Sequence, residues 1–300
     1  MSVGRISTWF TALTHVSLIL AWLCLVATAA EPSAPSDADF AAHVATLRKR
    51  IPLDFAVVIQ RPFVVWGDEP ATVVHGRAVN TVKWAVDKLK QDYFRQDPPE
   101  IIDIWLFKDG LSYTNHASEF FKDQPTTRFG YYSATHRALI MNISTGGGTL
   151  VHEIVHPFMR ENFPECPPWF NEGLASLYEA SSEKEGHISG MINWRFKGLE
   201  QAIKAGKTIS FERLMAMDET QFYGRDSGAA YNQFYAQARY LCYYLQEKGL
   251  LTKFYREFVA NAKTDPTGFS TLKRVTGEPD PEAFQKKWEK FILSLRLGAN

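Results

Sequence analysis

Cysteine is scarce in this chain, three residues in 300, which excludes a small fold stapled by disulfides. Net charge is absent: 33 Lys and Arg face 33 Asp and Glu. A protein that holds nucleic acid through a broad basic field carries a cationic surplus, so that class is excluded and no nucleic-acid partner is expected. Long apolar runs are lacking too. The run Val16 to Val26 falls short of the about 20 residues that a membrane-spanning helix needs. There is no internal repeat. Gly146-Gly147-Gly148 is followed by Thr149-Leu150 and not by Gly-Lys-Ser/Thr, so it is no phosphate loop; it reads as a flexible lead into the next helix.

Apolar residues are plentiful. They make up 45% of the chain and aromatics 14%, enough to bury the core of one large domain or two modest ones. Residues 1–29 read as a secretory signal peptide: Arg5, then Val16 to Val26, then the small residues Ala27-Thr28-Ala29-Ala30, with cleavage after Ala29 or Ala30. The alternative is an uncleaved anchor. Cleavage leaves Cys166 and Cys242, either as a pair or as two buried thiols. The mature protein is therefore expected to be secreted or periplasmic, with no stable membrane span.

Residues 30–37 form a Pro/Ser linker. Residues 38–148 read as a mixed α/β subdomain. Phe55 to Gln60 and Phe63 to Trp66 are β-rich and parted by a turn at Arg61-Pro62, Ala71 to Phe94 has helical spacing, and Ile101 to Phe107 reads as a central strand. A helix over Leu111 to Phe121 and strands at Tyr131-Tyr132 and Ala138 to Ile143 follow. Residues 149–300 are mainly helical, with patterns at Leu150–His156, Pro168–Ala180, Asn193–Ala205, Gly228–Glu247, Leu251–Asn261 and Pro281–Leu295. A sheet-bearing first half before a helical second half predicts an α+β fold.

The segment Thr149-Leu150-Val151-His152-Glu153-Ile154-Val155-His156 carries the chemistry. Residues four apart on a helix lie on one face, so His152 and His156 can bind one metal ion. Glu153 projects beside them, placed to take a proton from metal-activated water. A random chain of this composition holds His-Glu-x-x-His with a probability of about one in a hundred. The rival reading is a core helix, since Val151, Ile154, Val155 and Phe158 form an apolar stripe; the stripe also suits a metal helix, which needs a buried back. Pro157 removes the hydrogen bond to the Glu153 carbonyl and predicts a kink or an end there.

A third ligand comes from Pro167-Pro168-Trp169-Phe170-Asn171-Glu172-Gly173-Leu174-Ala175. Pro168 suits the first helical position. Gly173 permits close helix approach, and the fifteen intervening residues allow an antiparallel return that brings Glu172 to the histidines. Two imidazoles and one carboxylate leave a coordination position open, the pattern of catalytic zinc. His43, His75, His116, His136 and His187 have no ligand partner at helical spacing and read as surface or packing residues.

His152-Glu153-x-x-His156 followed by Trp169-x-x-Glu172-Gly173-Leu174-Ala175 resembles the gluzincin metallopeptidases. It is most similar to the peptidase MA-like families of bacterial secreted proteins, and more distantly to aminopeptidase N-type and thermolysin-like enzymes. The resemblance covers Thr149 to Glu179, with weaker similarity through Tyr235. It implies a zincin-like fold, one Zn²⁺ held by His152, His156 and Glu172, and Glu153 as general base. It further implies that Ala138 to Ile143 is the edge strand that aligns an extended peptide or protein substrate. The segment Tyr235-Ala236-Gln237 resembles a recurrent helix of these families, which makes Tyr235, with Tyr231 second, the expected oxyanion donor. Arg239, four residues on, reads as a solvated helix residue, with binding of a substrate carboxylate as the alternative.

The expected function is therefore a secreted zinc metallopeptidase. The alternative is a catalytically silent, peptidase-like binding or assembly module that keeps the metal-stabilised fold. The sequence is silent on oligomeric state, side-chain preference and endo- versus exo-cleavage.

Overall fold

Residues 34–224 and 228–296, with Met1, are described by a computed structural model; the side chains of residues 228–232 are not among them. The expected signal peptide, Cys24 and Tyr231's side chain lie outside the described residues. From Ala34 onward the chain forms one compact unit. Its architecture is α+β, with a mixed five-stranded sheet and many helices.

Near-continuous apolar runs build the centre of the sheet. Its strands are β1 (Ala56–Gln60), β2 (Phe63–Gly67), β3 (Ile102–Phe107), β4 (Gly130–Ser133) and β5 (Ala138–Asn142), in the order β1-β2-β3-β5-β4. β2, β3 and β5 run parallel, and β1 and β4 flank them antiparallel. Trp105 pairs with Trp66 on one side and Ile140 on the other. A period of two then sorts the residues between faces. Val64, Trp66, Trp105, Phe107 and Ile140 go to a smaller core, and Val65, Ile104, Leu106, Leu139 and Met141 to the larger one.

The smaller core is covered by α1 (Asp37–Arg48) and by α4 (Gly110–Phe121). Asp109 caps α4 by accepting from Ser112 N at 2.8 Å, a standard N-cap role. On the larger core lie α2 (Ala71–Arg77), a π-helical stretch (Ala78–Lys83) and α3 (Trp84–Asp92), with the remaining helices beyond them. These are α5 (Gly148–Asn162), α6 (Pro168–Leu177), α7 (Arg195–Lys204), α8 (Phe211–Met215), α9 (Glu219–Tyr223), α10 (Gly228–Glu247), α11 (Leu251–Asn261), α12 (Phe269–Thr276) and α13 (Pro281–Ser294). A hairpin of β6 (Ser181–Lys184) and β7 (His187–Gly190) follows α6. Among the described residues no helix is long and apolar enough to cross a membrane. Cys166 and Cys242 are both free thiols.

Several expectations need correction. The edge strands are β1 and, beside the expected one, β4, not Ala138–Ile143: β5 lies between β3 and β4 and all five of its residues are buried. A continuous apolar run such as Ala-Leu-Ile-Met is what a strand covered on both faces requires. Of the kink or end expected at Pro157, the end does not occur: the helix continues to Asn162. Phe158 and Met159, buried just past the proline, anchor that last stretch by packing, which outweighs the one missing hydrogen bond. The last glycine of the triplet, Gly148, is packed and not part of a loose lead. A Cβ on Gly148 would lie 2.0 Å from the Glu179 carbonyl oxygen, so the first turn of α5 sits directly on the backbone that follows α6.

That contact yields a prediction. Gly148→Ala is expected to destabilise the fold by about 2 kcal/mol, the range of overpacking, because the obstructing atom is backbone. The gain in helix propensity is smaller, at most about 1 kcal/mol. Urea unfolding checks it: the midpoint should fall with an unchanged slope, and an unshifted midpoint would show that the two segments part freely.

Candidate metal centre

α5 and α6 bring the ligands together. The apolar stripe of Leu150, Val151, Ile154, Val155 and Phe158 fixes α5 in the larger core, which fixes His152 and His156 at one rotational setting. Pro168 opens α6. Trp169, Phe170, Leu174 and Leu177 bury its apolar side, and Gly173 lets it close on α10: a Cβ there would lie 3.0 Å from both the Ala238 oxygen and Cys242 Sγ. The result is that ligand atoms of His152, His156 and Glu172 all lie within 4.8 Å of one another. Among the described residues this is the one such group of three or more His, Cys, Asp or Glu.

Glu172 Oε2 is 3.3 Å from His152 Nε2, and Glu172 Oε1 is 4.0 Å from His156 Nε2. His152 and Glu172 are 8% and 6% exposed, so this is a buried polar cluster and not a surface ion pair. Glu172 Oε2 is buried and accepts no hydrogen bond from the protein. Such an orphan is costly unless a cation or a donor from outside satisfies it. Two imidazole nitrogens and one carboxylate oxygen match the preferences of a Zn²⁺-like ion, so the residues present fit that group.

Behind each histidine stands a polar side chain, hydrogen-bonded at His156 and only adjacent at His152. His156 Nδ1 is 3.0 Å from Asn171 Oδ1. His152 Nδ1 lies 3.3 Å from Glu179 Oε1, off line for a hydrogen bond. Glu179 is fixed by Arg195, whose Nη2 donates to Oε1 at 2.8 Å and Nε to Oε2 at 3.1 Å, and by Asn193 Nδ2 at 3.3 Å. Outer partners of this kind set which ring nitrogen faces a metal.

The electrostatics follow from this packing. Burial pushes the Glu172 carboxyl up, but His156 and His152 beside it, and the Tyr223 phenol, pull harder and hold it at about 2. Glu179 is likewise held at about 2, against its burial, by His152 and Arg195. Burial disfavours charge on His152, yet the Glu172 and Glu179 carboxylates outweigh it and raise the imidazole to about 10. The pocket is therefore built around cationic charge.

Glu153 is half-buried beside His152. It adds to the rise of Tyr113, whose phenol is pushed up to about 12 by burial first and by the Glu153 charge second. Tyr235 packs against Phe222, with ring centroids 5.2 Å apart, and under the Arg195 guanidinium, 5.3 Å from its ring centre. It thus adjoins the arginine that holds Glu179. Another tyrosine touches the ligand set: Tyr223, the last residue of α9, donates from its hydroxyl to Glu172 Oε1 at 2.9 Å.

Asn171, Glu179, Arg195 and Tyr223 were not expected from the sequence. Glu179 lies two residues past the end of α6, so its helical spacing from Glu172 was no true signal. Arg195 and Tyr223 carried none; folding alone brings them here. Arg239 is a correction: it is fully buried, not solvated. Its Nε donates to the Ser176 oxygen at 2.9 Å and its Nη2 to the Met191 oxygen, so it ties the C-terminal end of α6 to the segment beyond β7. Of the other histidines, His43, His116, His136 and His187 have structural partners. His43 Nε2 meets the buried Asp103 at 2.9 Å, and His116 stacks on Phe120 and Phe107.

No family model matches this chain, and no curated protein matches it.

Proposed function

We propose that the protein is a secreted zinc metallopeptidase with a zincin-like catalytic arrangement. The observation that carries this reading is the convergence of His152, His156 and Glu172, with a buried Glu172 oxygen that accepts no aligned hydrogen bond and has only the His152 ring, 3.3 Å away, beside it. A zinc ion held there supplies Lewis acidity and lowers the pKa of water to about 7.

This chain's own residues do the rest. Glu153 takes the proton from the attacking water on its carboxylate and passes it to the leaving amine nitrogen. Tyr223 is the phenol assigned to steady the developing oxyanion, its single O–H turning away from Glu172 Oε1 to do so, ahead of Tyr235, which packs on Arg195. An aligned donor of this sort is worth about 3–4 kcal/mol in the transition state. The open side of β4, an edge of the sheet, offers unpaired backbone groups to an extended substrate chain. An intact Glu153 favours this reading over a silent binding module, because holding metal does not require it.

Metal analysis of the mature protein combined with cleavage of an unbiased peptide library tests the proposal. One zinc per chain and defined cleavage products are expected. Absence of stoichiometric zinc would overturn it. A second measurement probes the support behind His152. Glu179→Gln keeps the size of the side chain and removes its charge. It is expected to weaken zinc binding by about 10–100-fold, read by competition with a chromophoric chelator; unchanged affinity would leave Glu179 a purely structural role.

A further inference from the structure

A cavity of about 300 Å³ opens beside the metal ligands, with Tyr132, His156, Arg160, Asn171, Glu172 and Glu219 in its wall. We infer that Arg160 makes this cavity a subsite for a carboxylate, so that the preferred substrates carry an acidic group close to the bond that is cut. The inference rests on the peptidase reading above and names its substrate class.

Arg160 lies one turn beyond His156 on α5, on the same face of the helix. Its guanidinium stands over the Tyr132 ring, 5.1 Å from the centre, and Nη1 donates to the Tyr132 hydroxyl at 3.3 Å. Tyr132 belongs to β4, an edge strand. Arg160 is thus held by the strand along which an extended substrate would lie, and it is exposed to solvent.

The other arginines around the site are committed. Arg195 holds Glu179, and Arg239 binds backbone carbonyls. Arg160 has no carboxylate within ion-pair distance among the described residues, although Glu219 lines the same cavity. Of its five N–H donors, one goes to Tyr132. The remaining fork matches a planar carboxylate bidentately, a geometry that lysine cannot copy.

A carboxylate reaches this subsite from an acidic side chain or from a free C-terminus, and the test separates the two. One set of acetylated, amidated octapeptides carries a single Glu moved position by position, each with a Gln twin. Another set lacks acidic side chains and ends in a free carboxylate or an amide. The wild-type protein is expected to cleave the favoured acidic peptide with a kcat/KM about tenfold above its neutral twin. The ratio should fall to about one in Arg160→Gln and invert in Arg160→Glu. Arg160→Lys should recover only part of it. The same peptide pairs are titrated against the zinc-loaded Glu153→Gln protein by fluorescence anisotropy, which reads the subsite without turnover.

Preference for the Glu series marks an endopeptidase with an acidic side-chain subsite; preference for the free carboxylate marks a C-terminal exopeptidase. Both support the inference. Equal cleavage and equal binding of each pair, or a ratio that Arg160→Gln leaves unchanged, overturn it while leaving the zinc peptidase standing. A protein that takes up zinc, cuts nothing, and still binds the acidic twin in an Arg160-dependent way supports the subsite and overturns the peptidase reading.

Discussion

Replacing Glu153 with Gln is expected to leave one zinc per chain and to reduce peptide cleavage by about a thousandfold or more. The amide has the shape of the carboxylate but no basicity at neutral pH. General base catalysis is worth about 10²–10⁴ in rate, and this residue is asked to serve both as base and as proton donor to the leaving nitrogen. Glu153 is half-buried, next to His152 on α5, and is not one of the three converging ligands, so the substitution leaves the donor set intact. The kinetic signature is specific. The loss should appear in kcat with little change in KM, because the interaction is made only in the transition state. Full activity in Glu153→Gln would falsify the mechanism even if zinc is present.

Glu172→Ala is expected to abolish stoichiometric zinc. Two imidazoles alone make a poor site, and the substitution also removes the negative charge that makes this pocket favour a cation. Thermal unfolding gives a second readout. Zinc at about a hundred times its dissociation constant stabilises the wild type by about 2.7 kcal/mol. For a domain of this size that raises Tm by roughly 5 °C. The variant should show no such rise. If Glu172→Ala still holds one zinc and still shifts in Tm, another group supplies the third ligand, and the assignment of α6 is wrong. The two variants divide the site cleanly: one loses chemistry and keeps metal, the other loses metal and with it everything downstream.

Much of the site was legible locally. The spacing of His152 and His156 needs only a helix, and the stripe of Val151, Ile154, Val155 and Phe158 needs only a core to face. Both follow from a periodicity of 3.6. Pro168 announced the start of α6, and Gly173 its close contact with another helix. The helices Gly228–Glu247 and Leu251–Asn261 stand at the predicted bounds, because their apolar periodicity runs unbroken from end to end.

Other elements had weaker local signals. α8 and α9 are five residues each, too short for a period to register. α1 lies where only a linker and an unassigned stretch were expected; its apolar pattern is faint, and a capping box at Ser36 and Asp39 defines its start.

What the amino-acid order determined by itself was the set of faces: which side chains share one side of a helix or a strand. Which face meets which was decided by the tertiary structure. The turn at Ala134–Arg137 folds β4 back along β5, and the parallel pairing of β5 with β3 then leaves β4 outermost. No local pattern states that order, because pairing partners are chosen by long-range hydrogen bonds and burial on both sides of the sheet. In the same way Arg195, Tyr223 and Glu179 come from separate elements, and only packing of the larger core brings them around Glu172 and His152. Local periodicity aims a side chain; long-range packing decides what it meets.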